Sequence, residues 1–232
     1  MAGPTAARDP RSVTSIAAPH HAAGRSDDAG TVRVIVVDDH AAVREGVRAM
    51  LGGEPDLDPV AVAATAGEAA ELAAAERPDV MLVDYHLPDE DGLSLCLYLK
   101  SRPAAPAAMV YSAFADEHLI PLAVVAGADA VVAKATRPDE LCDTVRALGR
   151  GESRMPPLTQ PAMESAGARL DADDLPIFGM LAHGTPADEI AATLRMDPAW
   201  LVARRWAMLE QLRDGTARRR APRASAALRP AS

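Results

Sequence analysis

Residues 31–151 alternate between short apolar runs and longer stretches in which polar residues are interspersed. The short runs are rich in β-branched residues and predict five strands, at residues 32–37, 59–64, 80–83, 107–111 and 130–132. The stretches that follow them are rich in Ala, Leu and Glu and predict five helices, at residues 41–51, 67–75, 93–100, 117–126 and 138–149. Because the strands are apolar almost throughout, we expect one parallel sheet with helices on both faces.

A second block of helices is expected nearer the C-terminus. Residues 152–169 contain three Pro and one Gly, and this composition predicts a linker between two domains. Residues 170–213 then predict three short helices, at about residues 174–183, 186–194 and 198–213. A helix-ending Gly184 and the first-turn residues Pro186 and Pro198 mark their boundaries.

Charge is unevenly distributed along the chain. The formal net charge is −9, yet residues 195–232 contain nine Arg and only three acidic residues. A basic end attached to an acidic module is typical of proteins whose basic end faces nucleic acid. Residues 1–30 have too little apolar content for a core and predict a disordered lead, whereas residues 214–232 predict a basic disordered tail.

The apolar runs are too short for export or membrane insertion. No stretch of about 18 apolar residues occurs, and the N-terminus lacks the apolar core of a secretory signal. We therefore expect a cytoplasmic protein with no membrane partner. Cys96 and Cys142 are isolated within apolar stretches, so we expect buried free thiols rather than a disulfide or a metal site.

Polar residues follow four of the predicted strands. Asp38 and Asp39 follow strand one, Asp84 follows strand three, Ser112 follows strand four, and Lys134 lies just beyond strand five. The carboxyl ends of parallel strands meet at one edge of the sheet, where function gathers. Three carboxylates there would repel one another unless a cation lies between them, and Mg²⁺ suits carboxylate and phosphate oxygens best. Asp84 could then act as a nucleophile toward a phosphoryl group, with Ser112 and Lys134 holding the phosphate oxygens.

Each of these residues alone has a simpler explanation. An isolated Asp after a strand is usually a helix N-cap or a turn residue, and His40 and His86 are expected to be loop residues. The whole set, in this order, favours a chemical site over separate structural roles. No Ser/His/Asp constellation and no Cys/His metal spacing occurs, so we do not expect an enzyme that acts on an outside substrate. Any phosphatase action would fall on Asp84 itself.

Five segments around these residues resemble NarL/FixJ-type response regulators. They are VIVVDDH at 34–40, VREGVR at 43–48, DYHLPDEDG at 84–92, YSA at 111–113 and VAK at 132–134. The resemblance covers about residues 31–150, with the segments in the family's order. It implies a receiver domain, that is, a flavodoxin-like, doubly wound, five-stranded parallel sheet, followed by a small all-α helix-turn-helix domain.

The same resemblance implies roles for individual residues. A partner histidine kinase would phosphorylate Asp84. Asp39 and Asp84 would bind Mg²⁺ directly, Asp38 would act through water, and the His86 carbonyl would add a ligand.

One position of the α/β region departs from the family. An aromatic residue commonly lies three positions before the Lys of strand five, and it turns inward when the hydroxyl residue moves toward the phosphate. This chain has Val131 there. Phosphorylation should survive the change, because Val131 touches no phosphate. The usual relay from Ser112 to an aromatic side chain cannot operate, and losing it would flatten the response.

Residues 170–212 align without a gap to the LuxR-type helix-turn-helix that ends NarL/FixJ regulators. The shared residues are Leu170, Ala182, Gly184, Glu189, Ile190, Ala191, Leu194, Met196, Pro198, Leu201, Met208, Leu209 and Leu212. The resemblance implies that helix 198–213 is a recognition helix that enters the major groove of promoter DNA. Most of the shared residues are core residues, so they support the fold more strongly than the DNA contacts.

The residues expected to contact DNA depart from the family. Where family members usually have Lys, Asn and His, this chain has Val202, Ala203 and Arg204. Arg204 and Arg205 are the remaining candidates for DNA contacts. Arg205 also interrupts the apolar stripe expected at positions 201, 205, 208 and 212, and Trp206 adds apolar bulk to the side that would face DNA.

The sequence leaves more than one function open. The first is a two-component transcriptional regulator, in which phosphorylation promotes a homodimer or releases the helix-turn-helix domain. The alternative is a signalling interaction module whose degenerate helix-turn-helix domain binds a protein through Trp200, Val202 and Trp206. A regulator that works without phosphorylation is the third. Pro176 adds one structural expectation, because it requires the first helix of this domain to start late or to bend.

Overall fold

The computed structural model describes residues 30–113 and 115–214. The rest of the expected lead and tail lies outside these residues. Five parallel strands form one sheet in the order β2-β1-β3-β4-β5. The strands are β1 (Val32–Val37), β2 (Leu57–Ala63), β3 (Val80–Asp84), β4 (Ala107–Ser112) and β5 (Ala130–Ala133). The predicted α/β fold class is confirmed.

Five helices connect and cover these strands. They are α1 (Ala41–Leu51), α2 (Ala66–Glu76), α3 (Gly92–Lys100), α4 (Leu119–Ala126) and α5 (Pro138–Gly149). We call β1 to α5 the α/β domain. Successive side chains of a strand point to opposite faces of the sheet, so Val34 and Val36 pack with residues of α1 and α5. Ile35 and Val37 pack on the other face, with residues of α2, α3 and α4.

Two element boundaries of the α/β domain differ from the prediction by two residues, and its other boundaries agree to within one residue. β2 begins at Leu57, two residues before the expected start, because Pro59 lies inside the strand rather than at its beginning. Proline is tolerated there because β2 is an edge strand, and the register with β1 shifts at this point. Helix α4 begins at Leu119 rather than at residue 117, since the Asp116 carboxylate accepts from the backbone N–H groups of His118 and Leu119.

Four further helices follow the α/β domain. They are α6 (Gln160–Gly167), α7 (Leu175–Ala182), α8 (Ala187–Leu194) and α9 (Pro198–Asp214). We call this set the C-terminal helices. A 3₁₀ turn at Ala172–Asp174 precedes α7. Pro176 therefore lies in the first turn of α7, where a missing N–H disturbs no helical hydrogen bond, and the expected late start is confirmed.

Helix α6 lies within residues 152–169, where the sequence predicts a linker and no helix. The Thr159 side chain accepts from the Ala162 backbone N–H, and Pro161 lies in the first turn. Ala162 and Ala166 are buried against neighbouring helices. Proline in this segment marks the start of a helix rather than irregular chain, since its fixed φ suits the first helical turn.

The C-terminal helices pack directly on the α/β domain. Helix α9 lies along α4 and also contacts α3, while α6 and α7 contact α4. Apolar residues of both regions form one continuous buried cluster, which includes Leu97, Leu122, Ile177 and Leu209. Burying a side chain of this size contributes about 1.5–3 kcal/mol. The surface shared by the two regions is therefore a substantial part of the core.

Two further expectations concern membrane-spanning helices and the cysteine thiols. None of the helices in the described part of the chain combines the length and apolar character that crossing a bilayer requires. Cys96 and Cys142 are buried free thiols, as expected. Burial raises the pKa of the Cys96 thiol to about 12, so this thiol stays protonated and unreactive at neutral pH.

Candidate functional site

Four strands end side by side at one edge of the sheet, because β1, β3, β4 and β5 are neighbours in that order. Asp38 follows β1, Asp84 ends β3, Ser112 ends β4 and Lys134 follows β5. The Lys134 backbone N–H donates to the Ser112 carbonyl over 2.7 Å, which ties the ends of β4 and β5 together. Residues from separate parts of the chain thus reach one edge because of the strand order.

Lys134 joins two of the predicted carboxylates. Its Nζ lies 2.5 Å from Asp38 Oδ2 and 2.9 Å from Asp84 Oδ2. The Asp38 side chain is fully buried and that of Asp84 is 5% exposed. Two carboxylates so enclosed need a cation between them, and in this structure the ammonium group supplies it.

The pKa values of Asp84 and Lys134 are both shifted in this cluster. Burial raises the pKa of the Asp84 carboxyl above its ordinary value of 3.8, and the charge of Asp38 adds to this, while Lys134 opposes it. Burial disfavours the charged form of Lys134, but its hydrogen bonds to Asp38 and Asp84 outweigh burial and raise its pKa. Lys134 is therefore a firmly protonated cation beside a carboxylate that is poorly solvated.

The same edge offers donors that suit a divalent cation. Asp38, Asp39, His40 and Asp84 each place one donor atom within 4.8 Å of the donors of the other three. Three carboxylates in this set are the hard oxygen donors that Mg²⁺ prefers. The donor set therefore fits the predicted Mg²⁺. The His86 backbone N–H donates to the Asp84 carboxylate, and the role of its carbonyl stays a prediction.

His40 is a member of this group that the sequence did not single out. Its backbone N–H donates to Asp38 Oδ1 over 2.8 Å, and its Nδ1 lies 2.5 Å from Asp39 Oδ1. The imidazole is largely exposed, so it orients Asp39 from the solvent side. Its position next to two acidic residues was the one signal in the sequence that could have suggested this.

The loop after Asp84 is held by two of its own carboxylates. Asp89 accepts from the backbone N–H groups of Ala66 and Gly67 at the start of α2. Asp91 caps α3 by accepting from the Ser94 backbone N–H over 2.9 Å. These carboxylates attach the loop to two helices, because negative charge is stabilised at a helix N-terminus.

Gly92 follows this loop and lies against the Asp84 backbone. A Cβ atom at this residue would lie 2.1 Å from the Asp84 carbonyl oxygen, which no side chain tolerates. The Gly92 backbone N–H also donates to the Tyr85 carbonyl over 2.9 Å. The glycine of the 84–92 segment is therefore required by the close approach of the backbone.

The two arginines predicted to contact DNA lie in different surroundings. Arg204 pairs with Asp174 over 2.7 Å, within the C-terminal helices, and its guanidinium lies 5.5 Å from the ring centre of Trp200. Arg205 is buried, and its Nε donates to the Val125 carbonyl of α4 over 2.9 Å. The prediction for Arg205 is corrected for this arrangement, because nucleic acid cannot reach a side chain enclosed between α9 and α4.

Comparison with known proteins places these features in context. Residues 34–146 match the profile of the response regulator receiver domain. The chain is 32% identical, over 170 residues, to the DNA-binding transcriptional activator DevR/DosR of Mycobacterium tuberculosis, which covers 69% of this chain and 78% of that protein.

Solved structures agree with this similarity. A LuxR-family two-component response regulator from Aurantimonas sp. is 31% identical, with a TM-score of 0.52, and the match covers 61% of this chain and all of that one. The receiver domain of NarL from Mycobacterium tuberculosis is 30% identical, with a TM-score of 0.51, over 53% of this chain and 98% of that one.

Proposed function

The chain belongs to the NarL/LuxR-type response regulators, and from this membership we propose that Asp84 accepts a phosphoryl group from a partner histidine kinase in the cytoplasm. One observation carries the proposal. Asp84 is a buried carboxylate at the carboxyl edge of the sheet, paired with Lys134 and adjacent to Asp38. A nucleophile in such surroundings needs positioning and charge neutralisation, which are the main requirements of phosphoryl transfer.

The residues of the site have complementary roles in this proposal. An Asp84 carboxylate oxygen forms the new bond to phosphorus while the bond between phosphorus and the donor breaks. Lys134 then balances the charge of the phosphoryl oxygens, and the Ser112 hydroxyl donates a hydrogen bond to one of them. Asp39 and Asp84 would hold Mg²⁺ directly, Asp38 through water, and the His86 carbonyl would add a ligand. The ion would supply neutralisation of phosphoryl charge.

Mass analysis of the intact protein tests this proposal. The wild type, Asp84→Asn and the control Asp58→Asn, which changes an exposed carboxylate on β2, are incubated with a small phosphodonor and Mg²⁺. We expect one added phosphoryl group on the wild type and the control, and none on Asp84→Asn. Uptake by Asp84→Asn equal to that of the wild type would remove Asp84 as the acceptor.

We also propose that the C-terminal helices control transcription by binding promoter DNA. Support comes from the similarity to DevR/DosR, which is named a DNA-binding transcriptional activator. Phosphorylation would release the C-terminal helices or promote a homodimer. Gel-shift titration with genomic fragments, with and without phosphodonor, should show salt-sensitive binding that increases after phosphorylation. Absence of binding in both states would remove this part of the proposal.

The burial of Arg205 favours a second candidate, a signalling module whose C-terminal helices contact protein rather than DNA. Trp200→Ala separates the two candidates, because the Trp200 ring is 47% exposed whereas the Trp206 ring is buried. Under the second candidate this variant loses a co-purifying partner while DNA affinity stays unchanged. Under the first candidate no protein partner co-purifies with the wild type, so the variant cannot lose one. Asp84→Asn with unchanged activity would instead indicate regulation without phosphorylation.

A further inference from the structure

Helix α9 presents two opposite sides to two different parts of the molecule. Residues seven positions apart lie on the same side of an α-helix, because two turns take about seven residues. Arg204 and Gln211 form such a pair, and they bond to Asp174 and Asp171 among the C-terminal helices. Trp206 and Arg213 form a second pair on the opposite side, and Arg213 bonds to α3.

The apolar bulk on that second side is covered by this chain's own α/β domain. Trp206 is only 9% exposed, and α9 contacts α4 and α3 there. Trp200, near the start of the same helix, is 47% exposed. Trp206, which the sequence assigned either to the DNA-facing side or to a protein partner, is therefore covered within the molecule, whereas Trp200 is not.

Arg205 seats α9 at the C-terminal end of α4. The Val125 carbonyl is among the last four of α4, which have no partner within the helix, and Arg205 donates to it. Gly127, with a φ of 75°, leaves the space for this side chain, because a Cβ there would lie 2.4 Å from the guanidinium. Arg205 thus interrupts the apolar stripe because it points into the neighbouring domain.

Arg213 contacts the start of α3, next to the acceptor loop. Its guanidinium lies 2.7 Å from Asp91 Oδ1 and 3.1 Å from the Ser94 hydroxyl. Asp91 is the last residue of the loop that begins after Asp84, and Gly92 then packs against the Asp84 carbonyl. Tyr85 is part of the same environment, since the charges of Asp91 and Arg213 act on its partly buried phenol.

We propose that Arg213 couples Asp84 to the position of the C-terminal helices, and this inference rests on the phosphoryl-acceptor function proposed above. The bonds of Arg213 to Asp91 and Ser94 hold the loop 85–91 in its unphosphorylated form. Accommodating a phosphoryl group on Asp84 displaces this loop, breaks those bonds and releases α9. Arg213 acts through this loop and is therefore a positioning residue.

Coupling of this kind acts in both directions. If release of α9 follows phosphorylation, then prior release must make phosphorylation easier by the same factor at equilibrium. The contact between Arg213 and Asp91 can be broken from either side. Asp91→Asn is the milder change, because Asn also caps helices and keeps the bond to the Ser94 N–H while removing the charge.

The test measures phosphoryl occupancy and helix release on the same samples of full-length protein. Trp200→Phe leaves Trp206 as the single Trp, so its emission reports whether the buried side of α9 becomes exposed. Occupancy at a fixed concentration of phosphodonor and Mg²⁺ is followed by intact mass. The variants are Arg213→Ala and Asp91→Asn, and the control is Gln211→Ala, which removes an α9 bond that stays among the C-terminal helices.

The Trp200→Phe protein is the parent of all these variants. We expect phosphodonor to shift its Trp206 emission to longer wavelength. Arg213→Ala and Asp91→Asn should show part of this shift without phosphodonor and reach half-maximal occupancy at about fivefold less phosphodonor. Gln211→Ala should behave as the parent does. Wild-type occupancy in both variants would overturn the coupling while leaving Asp84 as acceptor. No phosphorylation of the parent would overturn the coupling together with the proposed function.

Discussion

Lys134 is a partly buried cation and Arg205 is a fully buried one, and the two regions that hold them differ in how they balance charge. Lys134 lies between the Asp38 and Asp84 carboxylates. Arg205 donates to a single carbonyl, and among residues 30–113 and 115–214 no carboxylate pairs with it. Burial lowers the pKa of Arg205 to about 10, so it is still charged at neutral pH.

This difference bears on how the two regions respond to change. In the acidic site each charge is enclosed only because the others are present, so removing one leaves the rest unbalanced. At the surface between α9 and the α/β domain, enclosing an unpaired guanidinium costs free energy, while the apolar contacts and Arg213 hold the surface together. The first region is therefore fixed, and the second is suited to opening.

Removing the cation of the acidic site should have the largest effect. Lys134→Met leaves the two buried carboxylates unbalanced, and we expect the free energy of unfolding to fall by about 3 kcal/mol in EDTA, measured by urea denaturation. Added Mg²⁺ should restore much of this loss, because it replaces the missing positive charge.

The matched control is Lys100→Met. Lys100 pairs with a single carboxylate, Asp129, over 2.6 Å, so its loss should be smaller and insensitive to Mg²⁺. Equal losses in the two variants, with equal responses to Mg²⁺, would contradict the assignment of Lys134 to a shared charge cluster.

Removing the cation between the two regions should act in the opposite direction. Arg205→Met keeps most of the side-chain length without the buried charge, and we expect the free energy of unfolding to rise by about 1–2 kcal/mol. Arg205→Ala is the control for size, because it leaves an empty space and should be less stable than Arg205→Met. A clear loss of stability in Arg205→Met would show that the bond to Val125 outweighs the burial of charge.

The acceptor loop offers a smaller effect with a defined pH dependence. Asp89→Ala removes the bonds to Ala66 and Gly67 and should lower the free energy of unfolding by about 1 kcal/mol at neutral pH. Burial acts to raise the pKa of Asp89, but its backbone hydrogen bonds outweigh burial and hold the pKa below its ordinary value of 3.8.

A carboxyl whose pKa is lowered on folding stabilises the protein above its unfolded pKa and loses this contribution as the pH falls through the folded value. The difference between wild type and Asp89→Ala should therefore shrink in acid, below about pH 4. Denaturation curves at several pH values measure it, with Asp58→Ala as a control that should show no such trend. A difference that is constant down to acid pH would argue against a charged cap.

The two tryptophans of α9 should differ in how much they contribute to stability. Trp200 should contribute least of all the residues considered, and Trp206 much more. Trp200→Ala removes an exposed ring that contacts Arg204, and we expect a change of about 0.5 kcal/mol. Trp206→Ala, its matched control, should cost about 3 kcal/mol, because the ring is almost fully buried. Thermal or urea denaturation compares them, and a similar cost for both would contradict the assignment of Trp206 to the enclosed side.

Much of the α/β domain could be predicted from local pattern. The alternation of apolar runs and helical stretches located all ten of its elements, and the boundaries of α1 and α5 agree with the structure. Helix α6 was missed, because three prolines indicated irregular chain and only the packing of Ala162 and Ala166 shows a helix there.

The acidic site could be predicted because parallel strands carry their C-terminal residues to a common edge. Asp38, Asp84 and Lys134 needed only the strand order to meet. The roles of Asp89 and Asp91 could not be predicted, since the sequence does not indicate which helix a loop carboxylate caps.

By itself, then, the amino-acid sequence determined the order of strands and helices and the residues at the strand ends, because side-chain period and local backbone preference are properties of neighbouring residues. Only the tertiary structure decided which side of α9 is enclosed and where Arg205 and Arg213 bind. Those contacts join residues 80 or more positions apart. The stability of these contacts depends on how well two folded surfaces fit together, and this fit cannot be predicted from any single stretch of the chain.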